Sequence, residues 1–367
     1  MLKKFSVTGF KNFKDTVTID FSDVRDYRFH PEFVANGLLN TAIIYGKNAV
    51  GKTNFGLALF DLVSHLTTNN VTPGLYDYYL NVNNKNGCAE FEYVFQFGAD
   101  EIIYCYRKSD KSELSFECLQ LNEKTLLKNS GAMDGDNGGL IELAPNLNWE
   151  HNSEGSALKY FLFNSSLDSK HPLSKMLKFV NHMLWFRNLD DNRFIGYREK
   201  TRDYHTFMFA NQKYMTEFNE LLKQSGIEES VTVKKDTDGE LRLYFDTNPP
   251  LPFQKVASNG TKSLYAFYYW YKTAPDVSFM YLDEFDAYYH YELSESIVAM
   301  LEKMGGFQKI LTSHNTNLLS SRIMRPDCYF ILTKDKLTSL ANATERELRE
   351  GHNLEKLYMN GEFNGQG

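Results

Sequence analysis

Residues 46–53 read Gly46-Lys47-Asn48-Ala49-Val50-Gly51-Lys52-Thr53, the spacing G-x-x-x-x-G-K-[ST]. Glycines at the two ends let successive backbone N–H groups curl around phosphate oxygens, at the positive end of the helix that follows. In such a loop Asn48, Ala49, Val50, Gly51 and Asn54 contact the bound nucleotide and Lys52 sets a point charge against its β- and γ-phosphates. The Thr53 hydroxyl ligates Mg2+. Downstream, Phe279-Met280-Tyr281-Leu282 is an apolar run that delivers Asp283 and Glu284 at its end, where ligands bind in open parallel sheets. Asp283 would hold the magnesium directly or through a water, and Glu284 would polarise an attacking water as general base. An apolar run ending in two carboxylates says little alone. Behind a phosphate loop it points to hydrolysis of a nucleoside triphosphate, with ATP and Mg2+ as the cofactors to expect.

Those groups need a sheet to hold them. Asn40 to Tyr45 is short and apolar, like a strand buried in a parallel sheet, and Lys52 to Leu66 reads as the helix behind the loop. Leu2 to Phe10 and Val17 to Phe21 alternate apolar and polar residues, predicting two strands joined by a turn at Lys11 to Asp15. Runs at Phe91 to Phe97, Glu101 to Tyr106 and Leu114 to Leu119 predict antiparallel hairpins flanking the sheet. Asn129 to Gly139 is glycine-rich and reads as an exposed loop, with neither a Lys-Ser/Thr pair nor a helix pattern behind it. Leu173 to Trp185 and Gln212 to Gln224 have helical periodicity, which places a helical subdomain at Pro172 to Ile227. Asp236-Thr237-Asp238-Gly239 begins like a calcium loop, but Thr247 stands where the twelfth-position Glu is needed, so a hairpin turn between Val231 to Lys235 and Glu240 to Phe245 fits better. Ser263 to Lys272 is helix-like, and Lys309 to Ser313 is a second buried strand, ending at His314. The class is α/β, divided as 1–171, 172–227 and 228–367.

A chain of 367 residues exceeds what one core usually spans, in keeping with an insertion. Its net charge of −7 argues against a broadly basic nucleic-acid surface. Aromatic runs such as Tyr265-Ala266-Phe267-Tyr268-Tyr269-Trp270 read as core rather than as base-stacking platforms. Cys88, Cys105, Cys118 and Cys328 form no C-x-x-C pair and no cluster with histidine, so they read as buried, reduced thiols. Lys3 and Lys4 are followed by no long apolar stretch, which excludes a signal peptide or anchor and predicts a cytoplasmic protein with no membrane partner.

Between loop and carboxylates lies Ser258-Asn259-Gly260-Thr261-Lys262, running into the predicted helix. With this segment, the order phosphate loop, Ser-x-Gly, Asp-Glu and histidine resembles the ABC-class ATPases. The resemblance implies an ABC-ATPase-like P-loop head with a mixed central sheet, flanking antiparallel hairpins and an inserted helical subdomain. It further implies that Ser258, Asn259 and Gly260 bind the γ-phosphate held by a second copy, that Asp286 lies in the loop crossing to that copy, and that His314 contacts the γ-phosphate and the attacking water. Read alone, Ser258 to Gly260 is an ordinary helix N-terminal turn and His314 a structural histidine; their order favours the functional reading. His290 has the spacing of the Asp-Glu-x-Asp-x-x-x-His run, with Tyr291 where proline is common. For the glutamine loop, Gln96 and Gln120 are candidates, and either also reads as a plain strand residue.

The tail from Gly351 to Phe363, after Arg325-Pro326-Asp327, is similar to the stand-alone AAA ATPases of bacterial anti-phage and abortive-infection operons, relatives of the RecF, SMC and OLD group. The stretch after His314 is too short for the Toprim nuclease of OLD proteins, and no heptad run is long enough for an SMC arm. The resemblance therefore implies an ATP-dependent homodimeric sensor or scaffold for a separate effector such as a nuclease. A RecF-like ATPase binding DNA directly is the alternative, for which Lys175, Lys178, Arg187, Arg193, Arg198, Lys200 and Arg202 are the notable basic concentration. A third reading has ATP as a permanent dimer-stabilising cofactor.

Overall fold

The computed structural model describes residues 1–129, 136–149, 155–187, 193–197 and 206–363. The chain opens on β1 (Leu2–Thr8) and β2 (Val17–Asp20), a short hairpin of β3 (Val34–Ala35) and β4 (Leu38–Leu39), and β5 (Thr41–Tyr45), which leads through residues 46–51 into α1 (Lys52–Leu66). After β6 (Asn70–Val71) come β7 (Ala89–Phe97), β8 (Asp100–Asp110), β9 (Glu113–Leu121) and β10 (Lys124–Asn129). Helices α2 (Gly138–Leu143), α3 (Ala157–Asn164) and α4 (Pro172–Asn181) precede β11 (Met183–Arg187) and β12 (Arg193–Gly196). Then follow α5 (Gln212–Gln224), β13 (Val231–Lys235), β14 (Leu241–Phe245), β15 (Leu251–Pro252), α6 (Phe253–Val256) and α7 (Asn259–Thr273). The last part holds β16 (Phe279–Asp283), α8 (Tyr291–Met304), β17 (Gln308–Ser313), β18 (Tyr329–Leu332), β19 (Leu337–Ser339) and α9 (Leu354–Met359).

Two large sheets carry the architecture. The main sheet has the order β19-β18-β5-β17-β16-β11-β12-β6. Its centre, β18 to β11, is parallel, and its margins β19, β12 and β6 are antiparallel. Every residue of β5, β16, β17 and β18 is buried, as strands covered on both faces must be; β5, β16 and β18 are accordingly almost wholly apolar, whereas β17 buries Gln308, Lys309, Thr312 and Ser313 with hydrogen-bond partners. The second sheet, β10-β9-β8-β7-β1-β2, is antiparallel throughout, so the expected hairpins join the N-terminal strands in one layer.

Helix α1 lies between the two sheets: from Phe55 to Leu66 every residue but Ser64 is buried, so the helix is covered on all sides, and its buried Asp61 has to be partnered. Toward the main sheet, Tyr281 on β16 donates to the Lys52 carbonyl at 2.6 Å, and a Cβ on Gly56 would fall 2.6 Å from the Tyr281 ring and 2.8 Å from the Trp185 indole nitrogen. Toward the antiparallel sheet, the Tyr93 hydroxyl donates to the Ala58 and Leu59 carbonyls, while Asp61 accepts from Lys108, Tyr79 and Tyr106. The Asp61–Lys108 pair, 2.7 Å apart and buried on both sides, is one that hydrogen bonding must accompany to be tolerable, and two tyrosines supply it. Gln308 at the start of β17 stitches the sheets together by pairing its amide with both the N–H and the carbonyl of Leu2.

Several elements differ from the sequence reading. The helix expected to run to Trp185 ends at Asn181, and Met183–Arg187 is a strand of the main sheet. Met183-Leu184-Trp185-Phe186 is buried on both faces, and an apolar run this short carries no period that separates strand from helix. The stretch from Pro172 to Ile227 thus contributes helices α4 and α5 and, between them, two strands to the main sheet. The segment expected as a loop at Asn129 to Gly139 lies partly outside the described residues, and a short helix, α2, begins within it at Gly138. Strand β10 escaped notice because its hairpin turns on Asn122 and Glu123, both at positive φ, without the glycine that signals such a turn. The hairpin at β13 and β14 is as read: Asp236 and Asp238 bind the Arg242 guanidinium, and among the described residues no group of His, Cys, Asp and Glu could hold a metal ion unaided. All four cysteines are free thiols, but only Cys328 is buried as expected, Cys88, Cys105 and Cys118 being half-buried; no described helix is long and apolar enough to cross a membrane.

Candidate functional site

The phosphate loop occupies the turn between β5 and α1, and its glycines answer two demands. Gly51 has φ 109°, a conformation costly for any side chain, and a Cβ there would lie 2.3 Å from the Asn12 carboxamide. At Gly46 a Cβ would fall 2.7 Å from the Leu332 carbonyl of β18. Asn12, in the turn after β1, donates to the Val50 carbonyl at 2.7 Å and accepts from Asn54 at 2.8 Å, clamping the loop from the antiparallel sheet. Asn12 was not singled out in the sequence; its role depends on which turn packs over Gly51, and a single chain pattern does not encode that.

Lys52 donates to the Gly46 carbonyl at 2.9 Å and the Lys47 carbonyl at 3.4 Å, and its ammonium lies 3.5 Å from His314 Nδ1. Burial lowers the affinity of Lys52 for its proton, while Glu284, Asp283 and Asp286 act to keep it charged. His314 is also shifted down, first by burial and then by the neighbouring lysine. A neutral ring accepting from Lys52 at Nδ1 carries its proton on Nε2.

Strand β16 delivers the carboxylates. Asp283 accepts at Oδ2 from the Thr53 hydroxyl at 2.7 Å and at Oδ1 from the Thr312 hydroxyl at 2.9 Å. Burial pushes its carboxyl up to about 6, opposed by Thr53 and Arg187. Glu284 stands in the left-handed region at φ 51°, its N–H fixed on Thr312 Oγ1 at 2.7 Å, a strained backbone held by the neighbouring strand. Thr312 was also missed; it lies one strand over and two residues before His314. Thr53 and Asp283 are hard oxygen donors in contact, which suits Mg2+: the hydroxyl offers a lone pair while still donating to the carboxylate, and phosphate oxygens and waters complete such a site.

Arg187 closes the group. It ends β11 in register with Asp283, with Nε 3.5 Å from Asp283 Oδ2 and Nη2 donating to Glu284 Oε1 at 3.3 Å. This removes it from the basic concentration considered for DNA. In that concentration Lys178 and Arg193 are exposed, whereas Arg198, Lys200 and Arg202 lie outside the described residues.

Other expected residues are placed elsewhere. Asp286, expected in a loop crossing to a second copy, is buried in its own chain, where it accepts from Ser313 at 2.5 Å; burial lifts its carboxyl to about 6. Ser313 in turn accepts the Asn315 N–H, so Asp286 braces the turn that carries His314. Ser258 caps α7, its Oγ accepting the Thr261 N–H, and Gly260 packs close to the Tyr288 carbonyl. Among the described residues no hydrogen bond or ion pair joins Ser258, Asn259 or Gly260 to the phosphate loop; Ser258 and Asn259 are exposed. His290 begins α8 without capping it by its side chain. Neither glutamine candidate reaches the site. Gln96 pairs with Met1, at the end of the antiparallel sheet away from Asn12, and Gln120 sits on β9, three strands from β1.

Comparison with known proteins places this geometry. No curated protein matches the chain. Its structure is similar to the SMC head domain from Thermotoga maritima, at 14% identity and a TM-score of 0.43 over 92% of this chain and 98% of that one. It is also similar to an Smc head bound to the C-winged helix domain of ScpA, at 15% identity and a TM-score of 0.45 over 92% and 97% of the two chains. A third is an Smc head with an extended coiled coil bound to the C-terminal domain of ScpA, from Pyrococcus furiosus, at 13% identity and 0.43 over 92% and 96%. Residues 42–320 match the model of a family described as AAA domain, putative AbiEii toxin, Type IV TA system. That match begins in β5, takes in Lys52, Asp283, Glu284, Arg187 and His314, and spans most of the chain, which therefore belongs to this family of P-loop AAA ATPases.

Proposed function

We propose that the chain binds ATP with Mg2+ and hydrolyses it, two copies closing around the nucleotides, and that this cycle controls a separate effector, a nuclease, in cytoplasmic anti-phage defence. The observation that carries the reading is the contact of Thr53 with Asp283 at 2.7 Å, with Glu284 next in the chain and Lys52 beside His314. Asn48 to Thr53 and Asn54 take the phosphates, Thr53 and Asp283 the cation, and Glu284 the proton of the attacking water. His314 has an Nε2–H to offer a phosphate oxygen. Asp286 acts from within the chain by positioning the His314 turn.

Support for pairing comes from Ser258 to Gly260. They form the N-terminus of a long helix, where an anion is favoured, and Ser258 and Asn259 there are exposed. A second copy's γ-phosphate is the anion they would meet. Support for the defence setting is the family's description, which names a toxin of a toxin–antitoxin system.

The test is Glu284→Gln. It should bind ATP as the unaltered chain does, lose about a hundredfold or more in turnover, and accumulate as a dimer in ATP by light scattering. Unchanged turnover would remove Glu284 as the base and the reading with it.

A further inference from the structure

Both carboxylates of the site are held by one charge of the same chain. The parallel register of β11 and β16 sets Arg187 directly beside Asp283, and the guanidinium spans Asp283 Oδ2 and Glu284 Oε1 at 3.5 and 3.3 Å. Asp283 Oδ1 is bonded by Thr312 of the neighbouring strand, whereas Oδ2 accepts from Thr53, the other expected cation ligand; Oδ2 is therefore the oxygen a cation would share with Thr53, and it is the one Arg187 faces. A magnesium ion on that oxygen would lie about 2.1 Å from it, setting two further positive charges against the guanidinium in a partly buried site. Arginine does not deprotonate to relieve such a conflict. Relief has to come by movement, and the side chain, 27% exposed, has solvent to move into.

We propose that Arg187 is the resident counter-ion of the site: it holds Asp283 and Glu284 in the nucleotide-free chain and must leave Asp283 before a divalent cation takes Oδ2. Guanidinium and metal then compete for one carboxylate. The proposal rests on Thr53 and Asp283 being the cation ligands, as argued above. Its consequence reaches the chemistry, because Arg187 also occupies Oε1 of Glu284, the carboxylate that has to face the attacking water; the movement that opens Asp283 also frees Glu284. Arming of the base is thereby coupled to arrival of the metal with its nucleotide.

Binding of a slowly hydrolysed ATP analogue, AMP-PNP, titrated against free Mg2+, reads the competition without turnover. Arg187→Gln should lower the Mg2+ concentration for half-maximal binding by about tenfold, the lower end of what close charge pairs contribute. Arg187→Lys, which keeps the charge, should stay much nearer the unaltered chain. In the absence of nucleotide, Arg187→Gln should melt earlier, and Mg2+ alone or a second change, Asp283→Asn, should recover the loss, as expected of a buried charge left without its partner. A midpoint that is unmoved or raised in Arg187→Gln would overturn the proposal, as would weaker AMP-PNP binding at saturating Mg2+ with no shift in midpoint, since Arg187 would then be a phosphate ligand. If the unaltered chain bound no AMP-PNP at any Mg2+ concentration, the nucleotide-site reading would fall and this proposal with it. Failure in the variant alone would leave that reading standing.

Discussion

At Gly51 two separate constraints meet, one of backbone angle and one of space. Gly51→Ala should abolish measurable nucleotide binding, because Ala at φ 109° is strained by about 1–3 kcal/mol and its methyl collides with Asn12. Asn12→Ala alone should weaken binding by loosening the loop. The double variant should not recover, since removing Asn12 relieves the collision and leaves the angle; recovery in a binding titration would show that space alone matters. These two positions mark what sequence could disclose at this scale. Lys52, Thr53, Asp283, Glu284 and His314 are visible because each sits at a fixed offset from a glycine turn or a strand end. Asn12, Thr312 and Arg187 owe their place to which strand or turn lies alongside, and a residue's own neighbours in sequence do not say so.

The elements were legible to the extent that one surface defines them. Strands β5 and β16 were read with nearly their observed bounds because complete burial leaves a nearly continuous apolar signature, and helix α1 because the glycine loop fixes its start and mostly apolar residues follow to Leu66. Strand β11 was read as helix because the same signature, at its length, has no period, and its misreading hid Arg187 among surface charges. Helix α1 gives a prediction in which two general rules oppose each other. Glycine inside a helix normally costs about 1 kcal/mol relative to alanine, which favours Gly56→Ala. Here the added methyl meets Tyr281 and Trp185 at under 3 Å, and overpacking of that kind costs about 1–3 kcal/mol. Gly56→Ala should lower the melting temperature and weaken nucleotide binding, because pushing α1 off β16 separates Thr53 from Asp283. A rise in melting temperature would show that the helix has room to shift.

Stability of the whole molecule carries a burden at Lys309, buried at the start of β17 with its ammonium donating to the Leu301 carbonyl at 3.1 Å. Burial pulls its affinity for the proton down from 10.5 to about 8, with Glu302 pulling the other way. Between those values the unfolded chain holds the proton and the folded one does not, so stability rises with pH from 8 to 10.5. Below 8 the cost of the buried charge is present in full. Lys309→Met should therefore melt a few degrees higher at pH 7, with its advantage over the unaltered chain shrinking toward pH 10. A lower melting temperature at pH 7 would mean that the bond to Leu301 outweighs the burial of charge.

The central place of β17 has a further consequence, for synthesis. This strand lies between β5 and β16, carries Thr312 and Ser313 and leads into His314, and its first residue is bonded to Leu2. The phosphate loop thus emerges from the ribosome long before the strand that separates it from its carboxylates. A nascent chain exposes the unpaired edges of β5 and β16 in the meantime, contacts this distant in sequence being slow to form. Because the candidate site depends on that late strand, an unfinished chain lacks the assembled site.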